Sequence, residues 1–309
     1  MLGRVLQGVS RSDRLRKVAQ RAPVSRGLVA RFIAGDEIDE AVQAAQELVD
    51  DGLTVTIDHL GEDTVERLQA ESVTAEYIAL VRALQERGLA EASEASVKLS
   101  AIGQKLPGEG ERIALDNARE ICAAAKAAGT TVTLDMEDHT TTESTLSILS
   151  DLRKDFPDVG VAVQAYLYRT EADCRALAFP GSRVRLCKGA YNEPASVAYQ
   201  YKGDVDRSYV RCMKILFAGE AYPMIATHDA RLIEIAGSLA ARYRREQGTY
   251  EYQLLYGARP DEQRRLATTG ETVRVYVPYG DDWYGYMMRR MAERPANLAF
   301  FLRSVVTKK

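Results

Sequence analysis

Charged and amide side chains stand inside short, otherwise apolar runs of the chain. Four successive runs of this kind each carry one such residue: Lys98, Asp135, Gln164 and Arg185. Burying polar groups without partners is costly, so these residues need neighbours that satisfy them. A structural ion-pair layer would account for one such group easily and for four convergent groups poorly. The pattern therefore favours a polar pocket built around a ligand.

A second set of candidate residues lies near the C-terminus, in the segment from Trp283 to Pro295. Arg289 and Arg290 are adjacent there among aromatic residues and methionines, and Glu293 follows at a helical spacing that lets it pair with either. Guanidinium groups held in this way suit the bidentate capture of a carboxylate. A solvated helix with surface ion pairs is the structural alternative.

An acidic cluster at the end of the third predicted strand raises the question of a metal site. The residues concerned are Asp135, Glu137, Asp138 and His139. Alternation along an extended chain sends Asp138 to a different side from Asp135 and Glu137. The chain has three histidines and neither an HxH nor an HExxH pattern. We therefore expect no metal, and a metal-dependent barrel hydrolase stays as an alternative from a different class.

These residues need a scaffold, and the alternation of β-rich and helical runs predicts one. The runs that read as strands are Leu53–Ile57, Ala95–Leu99, Thr131–Leu134, Val161–Tyr166, Arg183–Cys187, Met224–Thr227, Tyr252–Leu255 and Val273–Val277. Eight strands that alternate with helices favour a closed (β/α)8 TIM-like barrel. An open doubly wound sheet would usually show GxGxxG after its first strand, and none stands there. In a barrel, chemistry lies at the carboxyl ends of the strands.

Length and composition exclude several classes of protein. The chain has 309 residues and a formal charge of −3, with 46% apolar and 28% charged residues. This is ordinary for a globular protein, and the lack of a basic excess argues against a nucleic-acid partner. No apolar run reaches the roughly 18 residues that a membrane span needs.

The N-terminal region differs from the rest in charge. Residues 1–35 carry eight lysines and arginines against Asp13 alone. We interpret residues 1–45 as a basic helical arm and residues 46–309 as the barrel, with extra N-terminal helices such as Ile38–Asp50 outside the barrel wall. A transit peptide, an arm that touches an anionic membrane and a solvated basic helix remain open for this segment.

Motifs follow one another on the predicted strands and on the last helix in a fixed order. They are Ser96–Lys98, Leu134–Glu137, Val163–Tyr166, Arg185–Tyr191, Ala226–His228, Gln253–Gly257, Tyr276–Gly280 and Trp283–Glu293. From about residue 30 onwards the chain resembles the monofunctional proline dehydrogenases, which are flavoproteins with a distorted (β/α)8 barrel. Each motif alone would be weak evidence, but their order makes the resemblance specific. It implies FAD in the barrel and a C-terminal helix over the active site.

The resemblance also implies roles for individual residues. The arginine pair would clamp the proline carboxylate, and the flavin N5 would lie near Arg185. The implied catalytic residues are Lys98, Asp135, Arg185 and Tyr276. The implied substrate-binding residues are Lys98, Leu254, Tyr276, Arg289, Arg290 and Glu293. The implied cofactor-binding residues are Asp135, Met136, Val163, Gln164, Arg185, Cys187, Lys188, Gly189, Ala190, Tyr191, Thr227 and His228.

The activity that the resemblance implies is the FAD-dependent oxidation of L-proline to Δ1-pyrroline-5-carboxylate, by hydride transfer from C5 to flavin N5. Electrons would pass to a membrane quinone and the product to a separate pyrroline-5-carboxylate dehydrogenase. The protein would be cytoplasmic, with peripheral contact to the inner face of the membrane left open. Oxidation of hydroxyproline is the nearest competitor, and Tyr276 argues against it. Cys187 and Asp229 depart from the valine and asparagine that are frequent in the family.

Overall fold

The computed structural model describes residues 29–61 and 64–293 of the chain. Eight parallel strands form a closed barrel in sequence order, with β1 pairing with both β2 and β8. The strands are β1 (Thr54–His59), β2 (Ser93–Val97), β3 (Thr131–Leu134), β4 (Gly160–Gln164), β5 (Arg183–Cys187), β6 (Tyr222–Ala226), β7 (Glu251–Leu255) and β8 (Val273–Tyr279). The predicted (β/α)8 architecture is confirmed.

Helices precede the first strand, connect each strand to the next and follow the last one. They are α1 (Ile38–Asp50), α2 (Arg67–Glu86), α3 (Gly110–Ala128), α4 (Thr142–Leu152), α5 (Thr170–Leu177), α6 (Lys202–Ala218), α7 (Ala230–Arg242), α8 (Pro260–Thr268) and α9 (Tyr284–Glu293). None of the helices in this part of the chain is long and apolar enough to cross a membrane.

The main hydrophobic core lies between the strands and the surrounding helices. Side chains that face outward from the barrel, such as Val55 and Ile57 of β1, are fully buried there. The side chains between them face the barrel interior, because successive residues of a strand point to opposite sides. Most inward positions carry polar residues instead of the bulky branched residues that usually fill a barrel. The interior is therefore held together largely by hydrogen bonds and ion pairs.

The strand limits agree with the predicted ones for β3 and β5 and differ elsewhere by a few residues. Strand β2 begins at Ser93, two residues before the predicted start, and Glu94 pairs in register with Thr56. A glutamate at a strand start reads as part of a loop, but this one is buried and bonded inside the barrel. Strand β8 continues through Pro278 to Tyr279, and both residues pair in register with β1.

Helix α1 packs on the barrel and contributes Ala41, Val42 and Ala45 to the main core. It spans the proposed boundary at residue 45, so the division into an arm and a barrel stays a prediction. The preceding residues are tied to β8, since the backbone N–H of Ala34 donates to the carbonyl of Pro278. The predicted arm lies for the most part outside the described residues.

Candidate active site

A compact charged cluster lies at the carboxyl ends of β1, β2, β3 and β8. The ammonium nitrogen of Lys98 is 2.6 Å from both carboxylate oxygens of Asp58. The same nitrogen is 3.3 Å from Asp135 Oδ2 and 3.4 Å from the hydroxyl of Tyr276. Lys98 thus joins two carboxylates and a phenol in one buried network.

Asp135 is bonded through both of its carboxylate oxygens. Its Oδ1 accepts hydrogen bonds from Ser96 Oγ and from Arg185 Nη1, each at 2.7 Å. Its Oδ2 accepts the hydroxyl proton of Tyr276, also at 2.7 Å. A carboxylate held from three sides has a fixed orientation, and it fixes the phenol ring of Tyr276 in turn.

Arg185 is held along the whole edge of its guanidinium group. Besides Asp135, Nη1 donates to Ser96 at 2.8 Å, Nη2 donates to Glu94 at 2.9 Å, and Nε donates to Gln253 at 2.6 Å. The guanidinium carbon also lies 5.4 Å from the centroid of the Tyr276 ring, within the range of a cation–π interaction. The guanidinium plane is therefore preorganised by partners from three other strands.

The protonation states follow from burial and from the neighbouring charges. Burial raises the pKa of Asp58 to about 6, against the opposing effect of Lys98. Burial alone would also raise the pKa of Asp135, but Lys98 and Arg185 hold it below its usual value. Burial and then the Asp135 carboxylate raise the pKa of Tyr276 well above 10. Asp135 is therefore an ionised acceptor near neutral pH, and Tyr276 is a neutral donor.

The predicted arginine pair lies on α9. The Arg289 guanidinium carbon is 5.7 Å from the ring centroid of Tyr191, which follows β5, and that of Arg290 is 5.3 Å from the ring of Tyr286. Helix α9 thus approaches the segment after β5 at the mouth of the barrel, as predicted for a helix that covers the site. The side chain of Glu293 lies outside the described residues.

The predicted cofactor residues fall at the carboxyl ends of four consecutive strands, β3 to β6. Gln164 Nε2 donates to the carbonyl of Glu137 at 2.7 Å. His228 Nε2 accepts the backbone N–H of Leu255 at 2.9 Å, so this nitrogen carries no proton in that contact. The Thr227 hydroxyl accepts the backbone N–H of Asp229 at 3.1 Å. These contacts fix the orientation of three side chains along one arc of the rim.

The loop after β5 has a conformation that requires glycine. Gly189 has φ +112°, and a Cβ atom there would lie 2.4 Å from the ring of Tyr166. Next to it, the Lys188 ammonium lies between Asp206 at 2.7 Å and Asp229 at 3.1 Å. Asp229 also accepts the backbone N–H of Arg231 and so caps α7. The negative charge of Asp229 is thus paired with a lysine of the same rim.

Predicted site residues with apolar side chains do not join the polar network. Leu254 and Val163 are buried in the main hydrophobic core, while their neighbours Gln253 and Gln164 carry the polar contacts of the same strands. The one-residue alternation of a strand explains the difference. Met136 is likewise part of that core, whereas Cys187 is only half buried.

The acidic cluster after β3 does not converge. Asp135 faces the barrel interior, the Glu137 carboxylate accepts the Ser100 hydroxyl at 2.6 Å, and Asp138 pairs with Lys105 at 3.2 Å. The Nδ1 nitrogen of His139 contacts Glu193. Among residues 29–61 and 64–293, no group of three or more His, Cys, Asp or Glu side chains could hold a metal ion.

Sequence reasoning missed four polar members of the network: Asp58, Glu94, Ser96 and Gln253. Glu94 and Ser96 of β2 alternate with apolar residues, and Lys98, the residue after β2, continues the alternation. This period of two in polar residues was a usable signal. Asp58 was visible at the end of a predicted strand. Its pairing with Lys98 depends on the register between β1 and β2, which the sequence does not display.

A closed barrel whose polar network lies at the carboxyl ends of its strands is the arrangement found in barrel enzymes, and the chain falls in this class. The family model described as proline dehydrogenase matches residues 41–303. Proline dehydrogenase 1 of Bacillus subtilis (strain 168) is 40% identical over 308 residues, which is 100% of each chain. The chain belongs to the proline dehydrogenase family and is an oxidoreductase that acts on proline.

Two further comparisons agree with this assignment. The proline dehydrogenase of Deinococcus radiodurans is 40% identical over 281 residues, or 90% of each chain. The solved structure of proline utilization A from Bdellovibrio bacteriovorus, inactivated by N-propargylglycine, is similar with a TM-score of 0.82 and 25% identity. That match covers 92% of this chain and 34% of the other, so the chain spans about a third of the larger protein.

Proposed function

We propose that the protein binds FAD at the mouth of its barrel and oxidises L-proline to Δ1-pyrroline-5-carboxylate. FAD, when bound, supplies the redox chemistry by taking a hydride from C5 of proline at its N5 atom. The observation that carries the proposal is the preorganised Arg185, whose guanidinium group is fixed by Asp135, Glu94 and Gln253. Such a fixed positive group suits a reaction that places negative charge on a reduced cofactor.

The residues at the rim fit a dinucleotide cofactor. Gln164, Lys188 and Thr227 lie at the ends of the neighbouring strands β4, β5 and β6 and offer an amide, a cation and a hydroxyl. Glycine at position 189 lets the backbone pass close to the Tyr166 ring, because a Cβ atom there would collide with that ring. The Lys188 ammonium could exchange a carboxylate partner for a phosphate oxygen, because its pairs with Asp206 and Asp229 are half exposed.

The substrate carboxylate would be held by the arginines of α9. Fixed guanidinium groups bind carboxylates in two-point contacts, and Arg289 lies beside Tyr191 at the barrel mouth. Tyr276 would pack against the proline ring, since its hydroxyl is anchored on Asp135 and its ring cannot swing away without breaking that bond. Correct placement of the ring in this pose can lower the barrier by several kcal/mol.

The anchored Tyr276 hydroxyl also supports proline over hydroxyproline. It is 2.7 Å from Asp135 and 3.4 Å from Lys98. An added hydroxyl on the substrate ring would have to displace or crowd a group that already has two polar partners. We therefore place hydroxyproline second among the substrates.

The proposed electron acceptor is a membrane quinone, and the proposed consumer of the product is a separate pyrroline-5-carboxylate dehydrogenase. We place the protein in the cytoplasm, with peripheral contact to the inner face of the membrane through its basic N-terminal segment. Eight lysines and arginines against one acid in residues 1–35 support attraction to anionic lipids. Sedimentation with anionic vesicles should fall as salt rises; binding that salt does not change, or no binding, would contradict this part of the proposal.

The test of the activity is a visible absorption spectrum before and after anaerobic addition of L-proline. Flavin bands that bleach with L-proline, and much less with 4-hydroxyproline, are expected. In Arg289→Met the KM for proline should rise strongly while the flavin bands of the purified protein persist. A protein that stays colourless after FAD is added would overturn the proposal, and unchanged proline kinetics in Arg289→Met would overturn the role of the clamp.

A further inference from the structure

One of the acidic residues inside the barrel, Glu94, lies one layer of side chains deeper than Asp58 and Asp135. Glu94 of β2 is 1% exposed. Its Oε1 accepts the Thr56 hydroxyl at 2.6 Å and Arg185 Nη2 at 2.9 Å. Its Oε2 accepts the Thr133 hydroxyl at 3.0 Å and Arg183 Nη2 at 2.6 Å. Both oxygens of a fully buried carboxylate are thus satisfied, and each of them binds one arginine.

Glu94 and Asp135 hold Arg185 between them. Asp135 accepts from Nη1 at the mouth side, and Glu94 accepts from Nη2 at the deeper side. Gln253 fixes the third nitrogen, and Gln253 is itself held by Glu251 at 2.5 Å. Without Glu94, the Nη2 group would lose its carboxylate partner in a place that water does not reach. The guanidinium group could then tilt about its remaining contacts with Asp135 and Gln253.

Glu94 also balances the charge of the barrel interior. The connected charged residues are the acids Asp58, Glu94, Asp135 and Glu251 and the bases Lys98, Arg183, Arg185 and Arg274. Burial alone would raise the pKa of Glu94, but Arg183, Arg274 and Arg185 together hold it well below its ordinary value of 4.5. Glu94 is therefore ionised near neutral pH, and these four acids and four bases cancel.

We propose that Glu94 is a positioning residue of the reaction: it holds the guanidinium group of Arg185 in place and limits the positive charge that this group presents to the cofactor. The inference rests on the proposed function, which puts Arg185 beside the flavin N5. Glu94 lies deeper in the barrel than the proposed substrate and cofactor sites and would contact neither ligand. Its effect passes through Arg185, so it should change the rate of flavin reduction and the flavin potential more than the binding of proline.

The test compares Glu94→Gln with the wild type as FAD-loaded proteins. The rate constant of anaerobic flavin reduction at saturating proline should fall about tenfold or more, because the guanidinium group of Arg185 is no longer held in one orientation. The dissociation constant for proline should change by less than about threefold, since the carboxylate clamp of α9 is untouched. The midpoint potential of the flavin should become more positive, because a negative charge has been removed. A partly unfolded sample would lose bound flavin and would not show a slower rate together with a higher potential.

Two matched variants separate positioning from general damage. Arg183→Gln removes the other arginine of the same carboxylate and leaves the Glu94–Arg185 pair in place, so its reduction rate should stay within about twofold of the wild type. Glu94→Asp keeps the charge with a shorter side chain, so it should restore the potential and part of the rate. If Glu94→Gln does not fold, the double variant Glu94→Gln/Arg183→Gln, which keeps the interior charge balanced, is compared with Arg183→Gln alone.

The outcomes distinguish this inference from the proposed function. A wild-type protein that binds no FAD, or whose flavin proline does not bleach, would overturn the proposed function. A wild type that is bleached normally, together with a Glu94→Gln protein of unchanged rate and potential, would overturn the role of Glu94 alone. Equal losses of rate in Glu94→Gln and Arg183→Gln would also overturn it, because they would show a general effect of the interior network.

Discussion

The buried pair between Lys98 and Asp58 should behave as one unit in stability measurements. Lys98 Nζ lies 2.6 Å from both Asp58 oxygens, and the side chains are 6% and 0% exposed. Removing one partner of a buried ion pair costs roughly 3–5 kcal/mol, because the other charge stays buried without compensation. Replacing both partners with neutral groups costs much less. We therefore expect a coupling energy between the two substitutions: Lys98→Met and Asp58→Asn together should destabilise the protein by less than the sum of their separate effects.

The structure predicts that the two single variants differ. Lys98→Met leaves Asp58 and Asp135 without the ammonium group between them, so its cost should approach the full roughly 3–5 kcal/mol. The pKa of Asp58 is already raised to about 6. In the Lys98→Met variant, protonation of Asp58 near neutral pH would remove its charge and bring the cost to the lower end of that range. Asp58→Asn leaves Lys98 with Asp135 at 3.3 Å and should cost less, about 1–3 kcal/mol. The double variant should fall short of the sum by at least about 2 kcal/mol.

The assay is urea unfolding followed by circular dichroism near neutral pH, with FAD at one fixed concentration for all four proteins. The exposed pair Arg67–Glu71 on α2, at 2.8 Å, provides a control cycle. Its side chains are largely in solvent, so its coupling should stay below about 0.5 kcal/mol. If the Lys98 and Asp58 variants add to within about 0.5 kcal/mol, the interpretation of the cluster as a closely coupled buried network is refuted.

Three further predictions concern single substitutions. Gly189→Ala should lower the free energy of unfolding by roughly 1–3 kcal/mol, because φ is +112° and the new Cβ would collide with the Tyr166 ring. It should also weaken FAD retention on gel filtration. An unchanged Tm would contradict this. Glu94 has a pKa below its ordinary value of 4.5, so its contribution to stability is present above about that pH and is lost on acidification. The stability gap between wild type and Glu94→Gln should therefore narrow as the pH falls below 4.5, and a widening gap would count against the ionised state. Tyr276→Phe removes the hydroxyl that donates to Asp135 at 2.7 Å. A hydrogen bond to a charged group contributes about 1.5 kcal/mol, so kcat/KM for proline should fall roughly tenfold. Steady-state kinetics that match the wild type would refute a role of this hydroxyl in the reaction.

The sequence was sufficient for the number, order and approximate limits of the strands, because each strand alternates with a helix of clear periodicity. The start of β2 was predicted wrongly. Glu94 lies inside β2 although its side chain suggests a loop, whereas Arg183 and Arg274, near the starts of β5 and β8, fell within the predicted strands. A prediction from apolar runs alone places a residue such as Glu94 in a loop. Inside this barrel polar residues pair with one another, so the usual relation between polarity and exposure does not hold.

The site could be predicted in part. Lys98, Asp135, Gln164 and Arg185 were expected to converge. The structure brings Lys98, Asp135 and Arg185 into one network, whereas Gln164 donates to the carbonyl of Glu137. The pairings of Asp58 with Lys98 and of Glu94 with Arg185 could not be predicted, because they depend on which residues lie side by side on neighbouring strands. Register between the strands of a closed barrel depends on the stagger of the whole sheet, which the sequence of one strand does not specify.

A balanced charge in the barrel interior supports the proposal that α9, a separate element, binds the substrate carboxylate. Arg185 and Lys98 are positive groups close to the proposed reaction centre, but the barrel acids Glu94, Asp58 and Asp135 already neutralise them. These carboxylates reduce the positive charge that Lys98 and Arg185 present, so a further pair of arginines would strengthen the binding of a substrate carboxylate. In the proposed function, Arg289 and Arg290 of α9 would hold the substrate carboxylate in two-point contacts. Substitutions in the barrel network should therefore act on the rate and on the flavin potential, and substitutions in α9 should act on the affinity for proline.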